Sequence, residues 1–189
     1  FEKNADMSIP PASLTKVMSM FLVMDAVSAK RLTLDEKIRI TPAASTVGGS
    51  SMHLRNGELV PVRQLLTGAA VASGNDAITA LALRVGGNER QFVRAMNQKV
   101  NSMGLKRTDF KNPTGLPAAG QRTTPRDMAT RTRAYLHAHP GAQTFHSTRV
   151  FTHRTRQMSN TNALLGSVRG VNGLETGWTV ASGYNLLVT

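Results

Sequence analysis

Two consecutive prolines, Pro10 and Pro11, close off regular structure, and directly behind them the apolar residues Val17, Met20, Phe21, Met24 and Val27 recur at spacings of three and four. That rhythm places one apolar stripe along a helix. A helix with one buried face is therefore predicted from the Ala12-Ser13-Leu14-Thr15-Lys16 lead to about Ala29.

The remaining segments divide by period. Alternating Lys37-Ile38-Arg39-Ile40 predicts a short strand within Leu32–Thr41, and the Gly- and Ser-rich stretch Ala43–Ser51 reads as a loop. Val62 to about Gly104 is helical in pattern, interrupted at Ser73-Gly74 and Gly86-Gly87. A loop, Lys111–Thr124, carries Asn112-Pro113-Thr114-Gly115. Pro125 opens a further helix, which Pro140 ends after His139. Arg149–Thr155, Arg169–Thr176 and Tyr184–Thr189 read as strands. Helices in the middle with strands toward the end predict an α+β fold whose sheet is incomplete in this chain. At 189 residues and 40% hydrophobic content, one domain with a buried core is expected.

The 23 Lys and Arg against 11 Asp and Glu give +12, a balance that favours anionic surroundings. Only nine aromatics and no basic run of five or more argue against a nucleic-acid binder. The absence of cysteine excludes disulfide and thiol chemistry. No apolar run approaches the ~20 residues of a membrane span, and nothing resembles a secretory signal. With Phe1 in first place and a strand at the end, the chain reads as a portion of a longer protein, and any export signal or membrane anchor is expected outside it.

Three elements carry candidate chemistry. Ser13 and Lys16, three apart at a helix start, share a face. A partly desolvated lysine near other cations is neutral enough to take a serine proton. Ser73-Gly74-Asn75-Asp76 sits between two helical stretches and presents a hydroxyl and an amide; taken by itself it reads better as a helix cap. Gly173-Leu174-Glu175-Thr176-Gly177-Trp178 reads as a late strand, with Gly177 admitting close backbone approach. Such an edge pairs with an extended peptide, and a twisted strand with a turn glycine is the plainer account. His137 and His139 lack an acidic cluster and are expected at a solvated helix end; no metal or other cofactor is predicted.

In this order the three elements resemble the signature of penicillin-binding proteins and class A β-lactamases: Ser-x-x-Lys, Ser-x-Asn, Lys-Thr-Gly. The likeness extends through Gly49–Met52, Phe92–Asn97, Asn112–Leu116, Thr124–Ala129 and Val171–Tyr184, and is to the serine D-alanyl-D-alanine carboxypeptidases among the low-molecular-mass penicillin-binding proteins. It implies a β-lactamase/transpeptidase-like fold: an antiparallel sheet flanked by helices. Residues 1–30 and 161–189 would form the sheet-side lobe with the nucleophile helix, and 31–160 a mostly helical lobe.

The resemblance implies that Ser13 attacks the penultimate D-alanine carbonyl of a peptidoglycan stem peptide while Lys16 takes its proton. Ser73 passes a proton to the leaving D-alanine, and Asn75 orients Lys16 and the substrate amide. The amides of Ser13 and Trp178 form the oxyanion hole, and Glu175, Thr176 and Gly177 bind substrate. β-Lactam antibiotics would acylate the same serine, and the enzyme would be exported to the periplasm or the outer face of the cytoplasmic membrane. A non-catalytic peptidoglycan-binding relative and a β-lactamase are the rival readings. The Glu-containing deacylation loop of class A β-lactamases is not found.

One position departs from the pattern. Glu175 stands where the family has the lysine that, with the next threonine, binds the substrate carboxylate. A cation 4 Å from a carboxylate in a partly screened site is worth about 4 kcal/mol. Reversing its sign predicts repulsion and impaired activity. Three accounts are open: a natural or engineered inactivation, a substrate with a neutral or cationic end, or an arginine nearby that supplies the cation.

Overall fold

The computed structural model describes residues 1–189. Its centre is α1 (Lys16–Ser28), entered through a 3-10 turn at Ala12–Thr15. The predicted single stripe is overturned here, because Lys16, Val17, Met18, Ser19, Met20, Phe21, Val23, Met24 and Ala26 are all buried. Neighbours on several sides explain it: α4 (Asn75–Gly86), α5 (Glu89–Ser102) and α6 (Pro125–Ala138) all pack on α1. A helix apolar on every side is a core helix. Its one buried hydroxyl, Ser19 Oγ, donates to the Pro113 carbonyl at 2.6 Å.

Around it, β1 (Lys37–Arg39) pairs antiparallel with β2 (Leu59–Pro61). Short α2 (Pro42–Ser45) interrupts the expected loop, and α3 (Val62–Val71) leads into the Ser73 turn. The predicted helical breaks fall where expected, between α3 and α4 and between α4 and α5. After α6 come α7 (Gln143–His146) and the hairpin β3 (Val150–His153) with β4 (Arg156–Ser159). The chain ends in a second hairpin, β5 (Leu174–Thr179) with β6 (Gly183–Val188), in the register Glu175 to Leu187 and Trp178 to Tyr184. The strands form three separate two-stranded antiparallel sheets, consistent with the expected incomplete sheet.

His139 corrects another expectation. It is buried, with Nε2 2.7 Å from Asp25 Oδ1, while Lys99 Nζ donates to Asp25 Oδ2 at 2.9 Å. The end of α6 is thus tied to α1 and α5 rather than solvated, while His137 is exposed.

Candidate active site

Pro10 and Pro11 deliver the chain into the 3-10 turn with Ala12 at φ +48°, a left-handed value that costs a non-glycine residue about 1–2 kcal/mol. The surroundings enforce it: a Cβ on Gly115 would lie 1.8 Å from the Ala12 carbonyl oxygen, so only glycine permits this approach. The turn projects Ser13 while Lys16 begins α1 beneath it. Lys16 Nζ donates to Ser13 Oγ at 2.7 Å and to the Thr114 carbonyl at 3.0 Å. Lys16 is fully buried, and desolvation pulls it down to about 8 against the opposing charges of Glu175 and Asp76. Of the two influences expected on Lys16, desolvation is present, whereas the charged groups that bear on it are acidic rather than cationic.

Ser73 occupies the tight turn before α4 at φ +49°, and its side chain does not cap the helix, whose N-cap is Gly74. Its hydroxyl donates to Glu175 Oε1 at 2.9 Å. Asn75 Nδ2 donates to the Gly48 carbonyl at 2.9 Å and its Oδ1 is buried without a partner, so the amide does not bond Lys16. Next to it, buried Asp76 accepts from Ser51 Oγ and from the backbone amides of Met52, Leu54 and Ala77 at 2.7 to 3.0 Å. That clamp fixes the loop whose Ser50 lines the cleft.

The third wall is β5, packed on the Ser13 turn. A Cβ on Gly177 would meet the Ser13 backbone nitrogen at 3.1 Å, which brings this stretch of strand against the Ser13 amide. Thr176, Gly177 and Trp178 line the cleft and Trp178 is exposed. The strand's start is braced from beneath: Asn162 Nδ2 donates to the Gly173 carbonyl at 3.0 Å, and His146, pulled down to about 4 by burial, places Nδ1 3.1 Å from the Leu174 carbonyl and Nε2 3.2 Å from the Tyr135 hydroxyl.

Glu175 lies beneath the cleft, 1% exposed and absent from its lining. Burial pushes its carboxyl up to about 8, opposed by the charge of Lys16 and the Ser73 hydrogen bond. No arginine lines the cleft, so the account in which a nearby arginine replaces the missing cation finds no support within it.

The open cleft of about 560 Å³ brings together Ser13, Ser50, Ser73, Thr176, Gly177 and Trp178. Thr114 and Asp76 are the site residues that the sequence reading missed. Thr114 acts through its carbonyl, which carries no residue-type signal. Asp76 was visible beside the Ser73 motif, but its clamp joins segments 22 to 25 residues apart.

A buried lysine on a serine, a second serine on a strained turn and a strand edge beside both define a protein of the penicillin-binding class, whose fold is shared with the transpeptidases and β-lactamases. Residues 1–189 match the family described as D-alanyl-D-alanine carboxypeptidase. The chain is 38% identical over 191 residues to the D-alanyl-D-alanine carboxypeptidase DacF of Bacillus subtilis, across 98% of this chain and 49% of that protein. The crystal structure of the D-alanyl-D-alanine carboxypeptidase DacD from Francisella tularensis superposes with TM-score 0.94 at 32% identity, over 98% of this chain and 58% of that one. Penicillin-Binding Protein D2 from Listeria monocytogenes, in its ampicillin-bound form, superposes with TM-score 0.84 at 31% identity, over 100% of this chain and 77% of that one. This chain belongs to the D-alanyl-D-alanine carboxypeptidase family. It spans about half the length of the curated relatives it matches.

Proposed function

We propose that the chain is the catalytic part of a serine carboxypeptidase that removes the terminal D-alanine from peptidoglycan stem peptides through an acyl-enzyme on Ser13. The observation that carries this reading is the 2.7 Å contact of Lys16 with Ser13 at a lysine held down to about 8. At neutral pH about a tenth of such lysines are unprotonated, against fewer than about one in a thousand at the ordinary value. Lys16 takes the Ser13 proton as Oγ attacks the penultimate D-alanine carbonyl. Ser73 passes a proton to the leaving D-alanine. The amides of Ser13 and Trp178 hold the oxyanion, worth roughly 3 kcal/mol per donor in serine hydrolases. Thr176 holds the peptide at the cleft wall, water releases the acyl group, and penicillins acylate the same serine.

In this reading residues 1–30 and 161–189 supply nucleophile, base and strand edge, and 31–160 supply Ser73. The substrate places the enzyme outside the cytoplasmic membrane, with any anchorage through segments beyond this chain.

Glu175 slows acylation, because the cleft lacks the cation expected at this position and carries a negative charge beneath it whenever Glu175 ionises. Intact-protein mass spectrometry after penicillin treatment tests the reading. One adduct on Ser13 is expected, lost in Ser13→Ala, and an adduct on another residue rejects the nucleophile. Glu175→Lys is expected to acylate faster; equal rates would reject the charge argument.

A further inference from the structure

Replacing a lysine by a carboxyl beside Ser73 changes more than charge. A lysine ammonium only donates to the hydroxyl, whereas a carboxyl accepts or donates according to its own proton. Ser73 reaches the cleft and Glu175 does not, so with Ser73 Oγ 2.9 Å from Glu175 Oε1 the serine is the carboxyl's bridge to bound substrate. The second oxygen, Oε2, is buried without a hydrogen-bond partner. The groups facing the carboxyl are Lys16 from α1, Tyr135 from α6, Ser73 from the turn before α4 and the Thr176 backbone on its own strand. Asp76 bears on it through Lys16.

We propose that Ser73 and Glu175 form a two-way proton relay, giving up a proton to the leaving amine during acylation and taking one from the attacking water during deacylation. The proposal rests on the acyl-enzyme reading above. The protons balance over the cycle. In acylation, neutral Lys16 takes the Ser13 proton as the Oγ–C bond forms; as the C–N bond breaks, the amine takes the Ser73 proton and Ser73 takes that of Glu175. The acyl-enzyme then carries protonated Lys16 and ionised Glu175. In deacylation, water attacks the acyl carbon and yields a proton to Ser73, which passes its own to the Glu175 carboxylate. The Ser13 oxygen leaves with the proton of Lys16, and the starting state returns. Burial favours it, since desolvation shifts both Lys16 and Glu175 toward their uncharged forms.

Glu175 thus acts through Ser73 as a positioning residue and gives this cleft a base for water that a lysine in its place lacks. Its consequence is an acyl-enzyme that turns over. The test follows formation and decay of the penicillin adduct by intact-protein mass spectrometry for the unmodified chain, Glu175→Gln and Glu175→Lys. Glu175→Gln keeps shape and hydrogen bond but cannot take a proton, so its adduct is expected to decay about a hundredfold more slowly, the low end of general-base catalysis. Glu175→Lys is expected to acylate faster and release more slowly. Decay of the Glu175→Gln adduct within about twofold of the unmodified chain overturns the relay alone. An unmodified chain without a Ser13 adduct overturns the acyl-enzyme reading and the relay with it. A second measurement needs no variant: adduct decay in the unmodified protein should slow as pH falls through the ionisation of Glu175, and a flat profile from pH about 9 to about 6 also overturns the relay.

Discussion

Glu175 and Lys16 are two ionisable groups moved toward each other by the same desolvation, one up and one down, to about 8. This has a stability signature as well as a catalytic one. A carboxyl raised above its unfolded value binds protons in the folded state that the unfolded chain has released, so stability falls as pH rises between the two values. Lys16, lowered, adds stability only above about 8, where the unfolded chain still holds its proton. His146, lowered to about 4 from 6.5, acts below 6.5. Between pH 6.5 and about 8 the Glu175 contribution therefore stands apart from both. Urea denaturation is expected to show stability falling across that window, and Glu175→Gln to remove the fall; an unchanged slope would mean that the carboxyl is already ionised at pH 6.5. Asp76 makes a different residue-scale case, because its carboxylate accepts from three backbone amides and a hydroxyl. Asp76→Ala leaves those donors stranded and should cost about 3 kcal/mol or more, read as a lower urea midpoint.

At the scale of elements, the site depends on a loop and a turn that approach too closely for a side chain. Gly115, at φ +89°, sits against the Ala12 carbonyl. Gly115→Ala must push the 112–116 loop off the Ser13 turn, and it takes the Thr114 carbonyl away from Lys16. Acylation is expected to fall at least tenfold, consistent with the sensitivity of rate to misplacement near 1 Å. The penicillin adduct rate measures it, with circular dichroism as the control for folding. Much of this architecture was legible in the chain. The prolines, the apolar rhythm of α1 and the breaks at Ser73-Gly74 and Gly86-Gly87 marked helix limits well, because those signals are local. Three-residue β2 and the polar, largely exposed β4 were not legible, since pairing with β1 and β3 creates them and no alternation of their own does. The all-round burial of α1 was hidden for the same reason: periodicity reports one face, and neighbours from distant sequence cover the others. Ser13, Lys16, Ser73 and the Thr176 strand were found as motifs. The Lys16 contact with Thr114, 98 residues apart, exists only in the folded chain.

For the whole molecule, charge and cleft pull apart. The chain carries +12, with 23 basic residues against 11 acidic ones, yet the cleft lining contains neither lysine nor arginine. Attraction of an anionic substrate is then a long-range effect of the surface rather than a contact in the site. Such attraction speeds encounter and decays over a Debye length, about 10 Å at 0.1 M salt. A cation in direct contact with the substrate carboxylate would be screened much less. Acylation by a penicillin with a free carboxylate is accordingly expected to slow about threefold or more as salt rises from about 0.01 to about 0.2 M, while the neutral methyl ester of the same penicillin keeps its rate. Glu175→Lys should then raise the rate with the free acid while making it less salt-sensitive, because a short-range ion pair takes over from steering. A salt response identical for acid and ester would instead place the effect on the protein's own conformation.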